Sequence, residues 1–424
     1  MKFQALELPI GKNPPPNFQK KVLLLAFALL LFTVTPLCLN NIPISSPWMS
    51  LEKSISSLQG TEPGKICNIF KGNWVPYPKG TYYTNTSCNL IIDQHNCLKF
   101  GRPDMEFLNW RWKPDECELP LFDAVQFLEL VRGKSLAFLG DSVGKNQMHS
   151  LLCLLSSVAY PEDLSHEYSN NTEYFKRYLY TDYQFTVGTL WAPFIVKAKE
   201  ADPNGYSSDS LMNLYLDEPD ESWATEVEKF DYVVVSAGQW FFRPLIYYEK
   251  GQVVGCSRCQ QENITDFLPY YGYRKAFRTV FSTLEGLKNY TGATFLRTFS
   301  PSHFENGAWN EGGNCVRSRP FTKEEIKLDG YVLEMYLNQV QELGEAQKQG
   351  KKRGLEFWLL NTTEAMLLRP DGHPNYYGHS PHRNRTFADC VHWCLPGPVD
   401  TWNELLLYML RKEQSTLHGK LQKN

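Results

Sequence analysis

The chain has 424 residues, 42% of them hydrophobic and 14% aromatic, and a formal net charge of −3 at pH 7. Length and apolar content suffice for a large buried core and exclude a disordered chain. A near-neutral balance without a long Lys/Arg block gives no electrostatic footprint for nucleic acid, so none is expected as a partner.

Residues 1–21 are polar, with Lys2, Lys12, Lys20 and Lys21, and residues 22–39 follow as an apolar run without charge. At 1.5 Å per residue that run reaches about 27 Å, enough for the thinner membranes of the early secretory pathway. Lysines on its N-terminal side hold that end in the cytosol, and no small-x-small cleavage pattern follows. The run therefore reads as an uncleaved signal anchor in preference to a cleaved signal peptide, and everything after it as luminal. Of the 11 cysteines, Cys38 lies in the apolar run; Cys67, Cys88, Cys97, Cys117, Cys153, Cys256, Cys259, Cys315, Cys390 and Cys394 remain as an even set suited to disulfides. Sequons at Asn85, Asn170, Asn263, Asn289, Asn361 and Asn384 point to the same compartment. Asn361 ends a predicted strand, which limits its access, whereas Asn170 and Asn263 have polar surroundings.

Residues 40–64 carry Asn, Pro, Ser and Gly with little periodicity, as a flexible stem would. Residues 65–132 hold four cysteines, many turn residues and the pair Trp110 and Trp112, with no long periodic helix, and read as a loop-rich, disulfide-stapled subdomain. From residue 133 to 424 strands alternate with helices. Apolar runs at 136–140, 232–238, 293–300 and 355–361 predict strands, and the best helix is 323–347. There Thr322 and Glu325 have capping-box spacing, and Val332, Met335, Tyr336, Val340 and Leu343 share a face. This order predicts an α/β fold whose parallel sheet is flanked by helices on both sides, with the cysteine-rich subdomain packed on it. Chemistry in such folds gathers at the carboxyl ends of the strands, here Ser142, Gly238-Gln239, Pro301-Ser302-His303 and Asn361-Thr362.

Gly140-Asp141-Ser142 ends the first of these strands abruptly and presents a hydroxyl at the start of a helix-compatible segment. Ser142 is either a nucleophile beside helical amides or the cap of that helix. Far downstream, Asp389 and His392 stand three apart between Cys390 and Cys394. A carboxylate at that spacing can fix the imidazole tautomer while the other ring nitrogen takes a serine proton. Read without a nucleophile, the same stretch is a disulfide-rich surface loop. His303 and His373 are rival bases, the latter with Asp371 nearby. Cys256-x-x-Cys259 lacks a second matching pair and reads as a structural disulfide before a zinc or redox site, and His373, His379 and His382 lack the helical spacing of a zinc protease, so no metal is expected.

Gly140-Asp141-Ser142, Asp389-x-x-His392 and Trp110-Arg111-Trp112-Lys113-Pro114, together with Arg297-Thr298-Phe299-Ser300-Pro301-Ser302-His303, Trp309-Asn310-Glu311-Gly312-Gly313 and Leu368-Arg369-Pro370-Asp371-Gly372-His373, resemble the plant trichome-birefringence-like family from about Cys67 to Met409. The resemblance implies a Golgi type II membrane enzyme of SGNH/GDSL-esterase-like fold that O-acetylates cell-wall polysaccharide. Ser142 would be its nucleophile, His392 the general base and Asp389 the orienting acid. Gly238 would serve the oxyanion hole, whose asparagine has no assigned position. Lys145 stands where the family often has arginine, and Gln239 where many members carry histidine. Asn310, Arg369 and Asp371 become candidates for the substrate groove. The stretch from Val131 to Gln239, with Cys256 and Cys259, is most similar to the xyloglucan O-acetyltransferase branch, with side-chain galactose as the expected acceptor. The expected co-substrate is an acetyl donor, acetyl-CoA or an acetylated carrier, with no tightly bound cofactor and with donor-supplying membrane proteins as partners. A polysaccharide acetyl esterase with the same triad and a non-catalytic wall-polysaccharide binder are the rival readings.

Overall fold

In the computed structural model, residues 67–201, 210–379 and 387–421 are described. The expected cytosolic tail, the 22–39 run, the expected stem, His382 and Asn384 lie outside them. Among the described residues no helix is long and apolar enough to cross a membrane.

Strands β1 (Gly72–Pro76) and β2 (Trp110–Pro114) pair antiparallel in the N-terminal subdomain. Helix α1 (Ala124–Leu130) follows, capped by the Asp123 side chain, which accepts from the Gln126 amide. The large sheet then begins with β3 (Ser135–Gly140), and helix α2 (Ser142–Leu155) leaves it directly. Next come β4 (Glu162–Asp163), β5 (Arg177–Tyr180) and β6 (Phe185–Trp191), then β7 (Val196–Glu200) and β8 (Met212–Pro219). The chain continues through β9 (Tyr232–Ser236), β10 (Leu245–Glu249), β11 (Gln252–Ser257), α3 (Tyr270–Gly286), β12 (Ala293–Arg297), α4 (Gly330–Gly350), β13 (Phe357–Leu360) and α5 (Asp400–Leu421).

Seven strands form one sheet in the order β13-β12-β9-β3-β6-β5-β4. The first five run parallel, so their carboxyl ends share one edge, and β5 and β4 add an antiparallel margin. Their near-continuous apolar sequences follow from burial on both faces. Leu136, Phe138, Val234 and Phe295 join one core with Met148, Leu151 and Leu152 of α2 and Leu405, Leu406 and Leu410 of α5. Residues of the other parity face α3 and α4, which are clamped together where Arg274 and Arg278 both reach the buried Glu342 carboxylate at 2.7 Å. A second sheet, β11-β10-β8-β7, was not expected. The N-terminal subdomain shares the main core through Ile69, Phe70, Trp74 and Trp112.

Helix α4 starts at Gly330, seven residues later than the capping-box pattern suggested. Thr322 and Glu325 do bond, the Glu325 carboxylate accepting from the Thr322 amide at 2.8 Å, but they close an isolated turn. Gly330 at φ +51° interrupts the backbone between that turn and the helix. The amphipathic face is as expected: Val332, Met335, Tyr336, Val340 and Leu343 are all buried.

Five disulfides use all ten cysteines after Cys38: Cys67–Cys117, Cys88–Cys153, Cys97–Cys394, Cys256–Cys259 and Cys315–Cys390. Cys88 and Cys97 tie the subdomain to α2 and to the histidine loop. Asn170, Asn263 and Asn289 are exposed and Asn85 is half-buried. Asn361 is corrected as a glycosylation candidate: it is buried, its amide donating to the Tyr336 hydroxyl at 3.0 Å and its oxygen facing Thr298 at 3.3 Å.

Candidate active site

The turn at the end of β3 admits no side chain before Asp141. Gly140 has φ +139°, and a Cβ there would stand 1.6 Å from the Ser236 carbonyl of β9. Asp141, and not Ser142, caps α2: its carboxylate accepts from the Val143 amide at 3.0 Å, and its carbonyl accepts from Gly144 and Lys145. This frees the Ser142 hydroxyl, at the first helical position, for a distant partner. Burial raises the Asp141 carboxyl above its ordinary range against the opposing charge of Arg297.

That partner is His392. The Ser142 hydroxyl donates to His392 Nε2 at 2.7 Å, and His392 Nδ1 donates to Asp389 Oδ2 at 2.8 Å. The other carboxylate oxygen accepts from the His392 amide at 3.0 Å and the Val391 amide at 3.1 Å. With Nδ1–H committed to the carboxylate, the lone pair on Nε2 faces the hydroxyl, as a general base requires. Burial pushes His392 down, but the Asp389 charge and hydrogen bond outweigh it and leave the imidazole above its ordinary value. Asp389 is held well below the carboxylate range; burial raises it, and the His392 charge with the bonds from Nδ1 and the two amides more than reverse that.

The loop carrying the pair is fastened on every side. Cys390 is bonded to Cys315 and Cys394 to Cys97. Asn146, one turn beyond Ser142 on α2, accepts from the Trp393 amide at 2.7 Å and donates to the Trp393 carbonyl at 3.2 Å. Asn375 and Asp389 exchange backbone bonds at 2.8 Å. The His373 ring stacks on Trp393 at 4.0 Å and meets the His392 carbonyl at 2.6 Å.

His303 and His373 do not reach the serine. They face each other at 2.7 Å, and burial lowers His303 to about 4 and His373 well below its usual value, so they brace the loop as neutral rings. Arg369 and Asp371 are corrected as groove residues. Arg369 Nε and Asp371 Oδ1 pair at 2.8 Å with both side chains almost wholly excluded from solvent, Arg369 also donating to the Phe107 carbonyl and lying over the Trp74 ring at 4.2 Å. They weld the subdomain to the catalytic body. Asn310 is exposed on the loop closed by the Glu305–Asn314 bridge. Gly238 follows β9 with the Phe299 ring so close that a Cβ would stand 2.5 Å from it. Lys145 donates to the Glu173 carbonyl at 2.7 Å, and Gln239 donates to the Ser300 carbonyl at 2.9 Å.

Sequence reasoning missed Gln94. Its side-chain nitrogen lies 3.0 Å from His392 Nδ1 and donates to Asp389 Oδ2 at 3.3 Å, and the carbonyl of its neighbour His95 accepts from the Leu395 amide at 2.8 Å. The nearby Cys97 was the available signal, since its bond to Cys394 draws this stretch beside the histidine loop.

Comparison with known proteins agrees with this architecture. Residues 119–409 match the PC-Esterase family, described as a GDSL/SGNH-like acyl-esterase family found in Pmr5 and Cas1p, and residues 65–118 match the PMR5 N-terminal domain. The chain is 47% identical to "Protein trichome birefringence-like 19" of Arabidopsis thaliana, over 94% of this chain and 95% of that one. It is 46% identical to "Xyloglucan O-acetyltransferase 4" of Populus trichocarpa, over 82% of this chain and 81% of that one. It is 40% identical to "Xyloglucan O-acetyltransferase 1" of Arabidopsis thaliana, over 85% and 84%. The chain belongs to the PC-esterase family, and its relatives include trichome birefringence-like proteins and xyloglucan O-acetyltransferases.

Proposed function

We propose that this chain, a polysaccharide O-acetyltransferase by family, transfers acetyl to xyloglucan through an acetyl ester on Ser142. The observation that carries the reading is the linear order Ser142 Oγ, His392 Nε2, His392 Nδ1, Asp389 Oδ2 with contacts of 2.7 and 2.8 Å. His392 takes the Ser142 proton as Oγ attacks the donor's acetyl carbonyl; the donor's leaving group departs with that proton. In the second half, His392 takes the proton of a sugar hydroxyl, the sugar oxygen forms the new ester bond, and Ser142 Oγ leaves and recovers the proton. The Ser142 amide at the N-terminus of α2 and the Gly238 amide after β9 are the candidates for stabilising the tetrahedral oxyanion.

The acceptor assignment is supported by the xyloglucan O-acetyltransferases among the relatives; galactose in the side chains is the acceptor sugar of this reading. The donor is acetyl-CoA or an acetylated carrier supplied by a membrane partner. A luminal Golgi setting behind an N-terminal anchor at 22–39 is supported by five disulfides and the exposed sequons. The test is incubation of the protein with deacetylated xyloglucan and an acetyl donor. Gain of glycan acetyl is expected; rapid release from acetylated xyloglucan with no gain would make the protein an esterase.

A further inference from the structure

Of the two strands flanking β3, one ends in a tryptophan and the other is followed by a turn that carries one. β6 ends on Trp191, whose register partner across the sheet is Gly140, and the turn after β9 carries Trp240. Because β6 and β9 lie on opposite sides of β3, the contact between the two indoles passes over the strand end from which Ser142 emerges. Their centroids are 6.0 Å apart and the rings nearly perpendicular, at 84°. Tyr174 lies against Trp191 at 4.7 Å, and its ring is 5.7 Å from the Lys145 ammonium, one helical turn beyond Ser142. On the other side, the Arg243 guanidinium covers Trp240 at 3.7 Å.

These rings border a cleft of about 330 Å³, lined among others by Phe175, Trp191, Phe194, Asp220, Ser222 and Trp240. The size falls at the lower end of ligand clefts, about 300–1,000 Å³. This chain buries Trp112, Trp223, Trp393 and Trp402 completely, yet leaves Trp191 and Trp240 partly open at the carboxyl edge of the sheet, where Trp191 is the register partner of Gly140. With Arg243 over one face of Trp240 and Tyr174 against Trp191, the uncovered part of each indole is the apolar surface left to meet the C–H face of a pyranose, whose hydroxyls stay in contact with water and polar groups. Among the described residues lining the cleft, the charged one is Asp220; its Oδ1 accepts from the Ser222 amide at 2.9 Å as a helix cap, and its Oδ2 is left to accept from a sugar hydroxyl.

We infer that this cleft is the acceptor subsite, in which Trp191 and Trp240 stack against a neutral pyranose of the polysaccharide and bring the hydroxyl to be acetylated up to Ser142. The inference rests on the acetyl-Ser142 reading for its role in transfer, but binding itself can be measured without chemistry. Neutral xyloglucan oligosaccharide would be titrated into full-length Ser142→Ala protein, alone and combined with Trp191→Ala, Trp191→Phe or Trp240→Ala. Either alanine substitution is expected to weaken the oligosaccharide about 10-fold or more, with phenylalanine recovering part of the loss. In protein with Ser142 intact, the same substitutions raise KM for the oligosaccharide by a similar factor and KM for the acetyl donor less than about twofold. Unchanged oligosaccharide affinity in both alanine variants, or a rise in KM confined to the donor, overturns the assignment. Weakened binding in a protein that still transfers acetyl without Ser142 would leave the subsite standing and remove the covalent mechanism.

Discussion

The Gln94 side-chain amide donates to the Asp389 carboxylate at 3.3 Å across 295 residues of chain, so the N-terminal subdomain supplies a direct contact to the acid of the proposed triad. The acid keeps its bonds from His392 Nδ1 and two amides when Gln94 is lost. Gln94→Ala should therefore lower kcat by roughly 10-fold, the scale of one hydrogen bond to a charged group, with little change in either KM. Steady-state kinetics with both substrates checks this; an unchanged kcat would make Gln94 a bystander.

Disulfide Cys97–Cys394 holds the same juncture. Replacing both cysteines by serine should cost roughly 2–5 kcal/mol of stability. Activity should fall further than the folded fraction does, because the histidine loop loses its covalent tether to Cys97 and is left there with hydrogen bonds such as the Leu395–His95 backbone bond. Denaturant unfolding and activity measured on the same samples separate the two losses.

The pH dependence follows from the direction of the His392 shift. Its imidazole must be neutral to accept the Ser142 proton, and Asp389 raises it above its ordinary value of 6.5. Activity should accordingly rise with pH along a limb centred above 6.5. Asp389→Asn removes the charge that raises it, so the limb should move to lower pH while kcat drops by about 10²–10⁴. For stability the sign is opposite: the raised His392 contributes fully below its unfolded value and loses that contribution as pH rises through its folded one.

Two buried carboxyls away from the triad add a second pH effect. Burial raises Asp400 to about 6 and Glu404 to about 7, each beside a tyrosine hydroxyl of the N-terminal subdomain, Tyr83 and Tyr82. Between pH 5 and 8 the folded protein binds protons that the unfolded chain has released, so stability falls as pH rises through these values. Glu404→Gln keeps an acceptor for Tyr82 and should flatten the fall in Tm, which calorimetry at pH 5.5, 7 and 8 would register. A slope equal to that of the unsubstituted protein would count against this origin.

The sequence made much of this legible where the signal is local or repeated. Asp389 and His392 are three residues apart, and Gly140 with Ser142 marks a strand end, so these positions could be read without coordinates. The β3, β9, β12 and β13 runs are apolar throughout because both sheet faces are covered. Gln94 carries no such mark, since its role arises from a contact 295 residues away. Arg369 and Asp371 read as polar strand-end residues, but a separation of two lets them neutralise each other in the core. The second sheet had a visible cue that went unread: Lys250-Gly251, both at positive φ, form the turn of the β10–β11 hairpin. Trp191 and Trp240 gain their meaning only from the strand order, which places them on either side of β3.

The central claim is a covalent acetyl ester on Ser142, and intact-protein and peptide mass spectrometry after brief exposure to an acetyl donor, with acceptor withheld, tests it most directly. The mass of one acetyl group on the peptide containing Ser142, absent from Ser142→Ala and discharged when xyloglucan oligosaccharide is added, is the predicted result. Transfer at an undiminished rate by Ser142→Ala, with no adduct in the unsubstituted protein, would contradict it.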